Sequence, residues 1–73
     1  MSTNTNTNFK FKVGDKVKVV KQDIHYFDIG ETVTILQCTD YDDEAQDYMY
    51  ECESIKDNLK QFAYESELEK INA

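Results

Sequence analysis

The run FKFKVGDKVKVVK, residues 9–21, alternates apolar and lysine side chains with a period of two, breaking at Gly14-Asp15 and resuming through Lys16 to Val19. A strand sends successive side chains to opposite faces, whereas a helix needs apolar residues three and four apart, so this run predicts extended chain. Its valines favour the same outcome, because two heavy atoms on Cβ suit a pleated surface better than a helix. The pattern returns twice. In residues 31–38, Val33 and Ile35 face one way and Thr32, Thr34 and Leu36 the other; in residues 47–54, Tyr48, Tyr50 and Cys52 share a face opposite Met49, Glu51 and Glu53.

Between these runs the chain reads as connections. Residues 22–30, QDIHYFDIG, show no sustained alternation and end at one of only two glycines, which predicts an irregular loop. Residues 39–46, TDYDDEAQ, form a polar, acid-rich link that makes the flanking strands a hairpin. Asp57-Asn58 supplies a turn before a short fourth strand at LKQFAY. In the closing ESELEKI, Leu68 and Ile71 fit either one helical face or a single 3-10 turn ahead of a last short strand.

Four or five short strands with close turns, no proline and a long loop after the first strand predict an all-β fold: a small, partly open β-barrel. At 73 residues there is room for one domain, assigned to residues 9–73. Residues 1–8 precede it as an arm of small polar side chains with nothing to bury, expected to be disordered. A chain this short builds a thin core without a large cleft, and no nucleophile and base stand in a recognisable motif around the lone His25. A non-catalytic protein without a cofactor is expected. The N-terminus lacks the apolar stretch of a secretory signal and no run of 18 apolar residues exists, so a soluble, cytoplasmic protein without a membrane segment is expected. Cys38 and Cys52 stand in no metal-type spacing and read as free thiols.

Three motifs carry a resemblance: Val13-Gly14-Asp15-Lys16-Val17-Lys18-Val19-Val20, Gly30-Glu31-Thr32-Val33, and Phe62-Ala63-Tyr64-Glu65-Ser66-Glu67-Leu68-Glu69. In order and spacing they resemble the SH3-like barrel superfamily, in its bacterial, phage and KOW-like forms, and are similar to the ferredoxin-docking small subunit family of photosystem I. The resemblance spans residues 9–71 and implies a small barrel whose long first loop, here with an aromatic cluster at His25, Tyr26 and Phe27, projects from it; the family's function is not carried over. The acidic insertion at 40–47 departs from the photosystem pattern and would repel an acidic ferredoxin.

Charge limits the partners. All eight basic residues are lysines, against 15 acids, for a net charge of −7. Residues 40–73 hold eleven of the acids and three lysines, net −8, so the chain is electrically lopsided. Phosphate neutralisation drives binding to duplex nucleic acid, and this balance opposes it. A protein partner with a basic surface is favoured instead, with the chain a monomer by default.

Two surfaces are candidates for that contact. The aromatic one joins His25, Tyr26 and Phe27 to Tyr48 and Tyr50, since such side chains bring large area at low entropy cost; the alternative is that the loop folds back and plugs the barrel mouth. The acidic one is the hairpin with Asp40, Asp42, Asp43 and Glu44. Read from Asp40, that loop has acids at positions 1, 3, 5 and 12 of a calcium loop, but Ala45 occupies the obligatory glycine position, so no metal site is assigned. The chain thus reads first as a small protein-binding module. The alternatives are an acidic, phage-type inhibitor, with Asp40 to Glu69 mimicking phosphates to block a nucleic-acid-binding or regulatory protein, and a KOW-like nucleic-acid contact through Lys16, Lys18 and Lys21. The ordinary reading of those lysines is the solvent face of an edge strand.

Overall fold

A computed structural model describes residues 9–71. The expected arm at residues 1–8 lies outside the described residues. Five antiparallel strands form one sheet: β1 Lys16–Val19, β2 Thr32–Asp42, β3 Asp47–Ser54, β4 Lys60–Tyr64 and β5 Leu68–Lys70, with a 3-10 turn at Glu65–Glu67 between the last two. Their order across the sheet is β4-β3-β2-β1-β5, so among the described residues β4 and β5 are unpaired edges and the sheet does not close. The all-β, partly open architecture is the one the alternation predicts.

Side-chain parity builds the core. Val17 and Val19 of β1, Val33 and Ile35 of β2, Tyr50 and Cys52 of β3, and Ala63 of β4 all point inward and are buried, joined by Phe11, Phe27 and Leu68. The long β2–β3 ladder pairs Ile35 with Cys52 and Cys38 with Tyr50, with register shifts between Ile35 and Gln37 and between Cys38 and Asp40. Each extra residue flips the parity of β2, so Cys38 packs against the core although it stands three residues from Ile35. β2 therefore continues four residues into the stretch predicted as a connection, and the hairpin turn is confined to residues 43–46.

The opening run departs from expectation. Residues 9–15 are not strand. Instead, the Asp15 N–H donates to the Lys12 carbonyl at 2.9 Å and the Lys12 N–H to Asp15 Oδ2 at 3.0 Å, closing a turn that puts Gly14 at φ 93. That φ is open to glycine and strained for other residues. Phe11 still reaches the core, but Val13 is exposed. β1 is also not an edge: it lies between β2 and β5, with Lys18 opposite Thr32 on one side and Glu69 on the other.

Candidate functional site

The first loop, between β1 and β2, is built around one carboxylate. Glu67 is fully buried in the 3-10 turn; its Oε1 accepts the N–H groups of Asp23 at 2.7 Å and Ile24 at 3.1 Å, and its Oε2 accepts the Tyr64 N–H at 2.7 Å. His25 completes the arrangement. Phe27 N–H donates to His25 Nδ1 at 3.0 Å, so the ring hydrogen sits on Nε2, which lies 2.7 Å from the Lys21 carbonyl and 3.2 Å from Glu67 Oε1. Farther along, Tyr26 N–H donates to Gln61 Oε1 of β4 at 2.8 Å. The loop thus meets β4 at Gln61, with His25 and Phe27 buried and Ile24 and Tyr26 exposed.

Tyr26 is 83% exposed, the most exposed large apolar side chain among the described residues. The loop then meets the β3–β4 turn. Lys56 Nζ pairs with Asp28 Oδ2 at 2.7 Å, and Ser54 Oγ donates to Glu31 Oε1 at 2.6 Å. The Lys56 bond and charge hold the Asp28 carboxyl below the usual carboxylate range and raise Lys56 reciprocally. Ile29 in the loop and Ile55 and Leu59 in the turn flank these bonds and are about half exposed. The loop and the turn thus each carry exposed apolar side chains, Tyr26 the most exposed of them.

The expected aromatic patch does not form as one surface. His25, Phe27 and Tyr50 are buried, because the loop plugs the open side of the sheet and Tyr50 lies on the inward parity of β3. Tyr48 is half-buried between the rings of Phe9 and Tyr41, at centroid distances of 4.8 and 4.9 Å, beside the acidic hairpin and away from Tyr26. Of the five aromatic candidates, Tyr26 is exposed and Tyr48 partly so.

The acidic candidates also divide. Asp42 is committed to the turn: Oδ1 accepts the N–H groups of Glu44 and Ala45 at 3.0 and 3.3 Å, and Oδ2 accepts the Tyr64 hydroxyl at 2.6 Å. These donors hold its carboxyl below the ordinary value, the Tyr64 bond foremost. Asp40 accepts its neighbour's N–H, from Tyr41, at 2.8 Å. Asp43 and Glu44 are exposed at the hairpin tip, and their carboxylates accept no hydrogen bond among the described residues. Glu67 belongs to the interior, so it leaves the acidic face that the sequence suggests. An open groove of about 610 Å³ lies nearby, with Asp47, Glu65, Glu69 and Lys10 around Val20 and Leu68.

Lys16, Lys18 and Lys21 are exposed. Among the described residues no cluster of three or more His, Cys, Asp and Glu side chains is placed to hold a metal, and no helix is long and apolar enough to cross a membrane. Sequence reasoning missed Ile29, Ile55 and Leu59, whose only signal is their position in turns. Comparison with protein-family models, with curated proteins and with solved structures finds no match to this chain.

Proposed function

We propose that the chain is a non-catalytic protein-binding module on an SH3-like barrel, docking a partner through Tyr26 and steering it with the charges of the acidic hairpin. The sheet order, the long first loop and the 3-10 turn before β5 support the SH3-like reading. One observation carries the functional reading: a tyrosine exposed to 83% stands on a loop whose backbone is tied to buried groups on both sides. An exposed aromatic held in place loses little freedom on binding, and such anchors dominate interface energies. Ile29, Ile55 and Leu59 supply the surrounding apolar contact, and Asp43 and Glu44 favour a partner with a basic surface.

The test is capture of the partner by the tagged protein, wild type against Tyr26→Ala and against Asp43→Asn combined with Glu44→Gln, at low and moderate salt. Tyr26→Ala is expected to lower retention at least tenfold at both salts, and the charge variant to slow association chiefly at low salt. Retention indifferent to Tyr26 but lost with Asp43 and Glu44 and falling steeply with salt would overturn the anchor and transfer the reading to an acidic inhibitor.

A further inference from the structure

We propose that the first loop is a plug that opens as a unit, separately from the sheet, and that Glu67 is the latch that keeps it shut. This rests on the reading of Tyr26 as the anchor in one respect only: an open loop no longer presents that side chain in place.

The hydrogen-bond pattern supports separate opening. The loop is fixed at its two bases by backbone bonds. Val20 and Lys21 N–H donate to the Glu67 carbonyl at 2.8 and 3.3 Å, and Gly30 N–H donates to the Val19 carbonyl at 2.7 Å. Between those bases the N–H groups of Asp23, Ile24, Tyr26 and Phe27 all donate to side chains: Glu67, Glu67 again, Gln61 and His25. No ladder joins the loop to β4, so it can leave without breaking a strand pair. The four amides use three acceptors, Glu67 Oε1, Gln61 Oε1 and His25 Nδ1; His25 lies against Glu67 while its Nδ1 holds Phe27, and Tyr26 stands between Ile24 and Phe27 along the chain. Freeing Glu67 therefore loosens all of them.

A second observation favours opening. Gln61 accepts the Tyr26 N–H through Oε1, while its Nε2 is buried and has no hydrogen-bond partner among the described residues. An unpaired buried donor is costly, and water reaches it once the loop lifts. The closed state holds that mismatch under the loop, opposed by the Glu67 bonds and by burial of the Phe27 and His25 rings.

Amide hydrogen exchange on the full chain, without any partner, tests the latch. In the wild type the amides of Asp23, Ile24, Tyr26 and Phe27 are expected to exchange at one common opening rate, at least tenfold faster than those of Ile35 and Cys52, with little dependence on urea below the unfolding transition. Glu67→Gln places an amide NH₂ among N–H donors and is expected to speed all four at least tenfold, including Tyr26 and Phe27, which Glu67 does not touch. Val33→Ala, a core truncation, is expected to speed the sheet amides and leave the four loop amides unchanged. Should Glu67→Gln fail to fold, the urea dependence and Val33→Ala decide the separate plug, and Glu67→Asp, which keeps the carboxylate but shortens its reach, decides the latch by the same four amides. Loop amides that follow the sheet amides in urea or in Val33→Ala overturn the separate plug; acceleration limited to Asp23 and Ile24 overturns the latch. Tyr26→Ala alters the anchor without altering any of these bonds, so the latch and the docking reading can each fail alone.

Discussion

Removing one oxygen atom, in Tyr50→Phe, tests how the irregular N-terminal segment is held. The Tyr50 hydroxyl accepts the N–H groups of Lys10 at 3.0 Å and Phe11 at 3.2 Å and donates to Glu65 Oε2 at 2.6 Å. Phenylalanine keeps the ring and its contacts with Phe9 and Phe11, at centroid distances of 5.5 and 5.4 Å, so the loss is polar. Lys10 N–H retains Glu65 Oε2 at 2.9 Å, and Glu65 is open enough to regain water. The Phe11 N–H is buried and has no other acceptor among the described residues, an orphan worth about 1–3 kcal/mol. With a small addition from the Glu65 bond, the expected cost is about 2 kcal/mol. That is a large fraction of the roughly 4–11 kcal/mol expected for a chain of this length. With a urea m-value of about 1 kcal/mol/M, the midpoint should fall by about 2 M at unchanged slope. In a double-mutant cycle, Glu65→Gln should cost less on the Tyr50→Phe background than on the wild type. A midpoint shift below about 0.5 M would refute the hydroxyl as the clamp on residues 10 and 11.

Three further outcomes follow from the same contacts. Burial, with the Glu67 and Glu51 charges, pushes the Cys52 thiol up to about 12, while burial and Asp15 raise Cys38 less. A thiol-specific disulfide reagent at pH 8 should therefore modify the folded protein slowly, Cys38 well before Cys52; equal rates would contradict the packing. The bond to Asp42, with burial, pushes Tyr64 up to about 12. A raised folded value gives stability that is complete below the unfolded tyrosine pKa of about 10 and is lost as pH climbs through the folded value, so the urea midpoint should decline between those limits and decline less in Tyr64→Phe. Asp42, held low, works in the opposite sense: its contribution is present above the unfolded carboxylate value and disappears as pH falls through the folded one, and Asp42→Ala should speed exchange of the Glu44 and Ala45 amides without altering that of Ile35.

Regular strands were legible because period-two burial leaves its mark on composition. Val17, Val19, Val33, Ile35, Tyr50 and Cys52 all face where the alternation predicts. The first loop was not, although it alternates too: Ile24, Tyr26 and Asp28 point out while His25 and Phe27 point in. The pattern is masked because its outward residues include two apolar ones and its inward residues include a histidine, whose burial depends on Glu67 more than forty positions away. The same distance hides the site. Tyr26 looks like a member of an aromatic triplet until Gln61 and Glu67 are seen to sort that triplet into core and surface. In residues 9–13 the alternation is genuine but lacks a neighbouring strand to complete it, and the backbone N–H groups go to a tyrosine hydroxyl instead.

The acid-rich composition has a structural cause that changes how its surface should be probed. Both edges of the sheet are unpaired among the described residues, and the two cysteines are free, so no disulfide ties down the loops. Carboxylates do it. Glu67 holds the first loop, Glu65 the N-terminal segment, Asp42 the hairpin turn, and Asp47 the 3-10 turn through the Ser66 N–H at 3.2 Å. A charged acceptor on a backbone N–H is stronger than a neutral one, which suits a chain with a thin core. Neutralising any of these four would weaken a partner's binding by loosening the fold, and a scan of acidic residues would mistake that for direct contact. Asp43 and Glu44 accept no hydrogen bond among the described residues, so their removal subtracts charge alone. If the acidic half attracts a basic partner, the salt dependence of association must fall with those two; if it falls only when Asp42 or Glu67 is changed, the acids serve the fold and the charge of the surface is incidental.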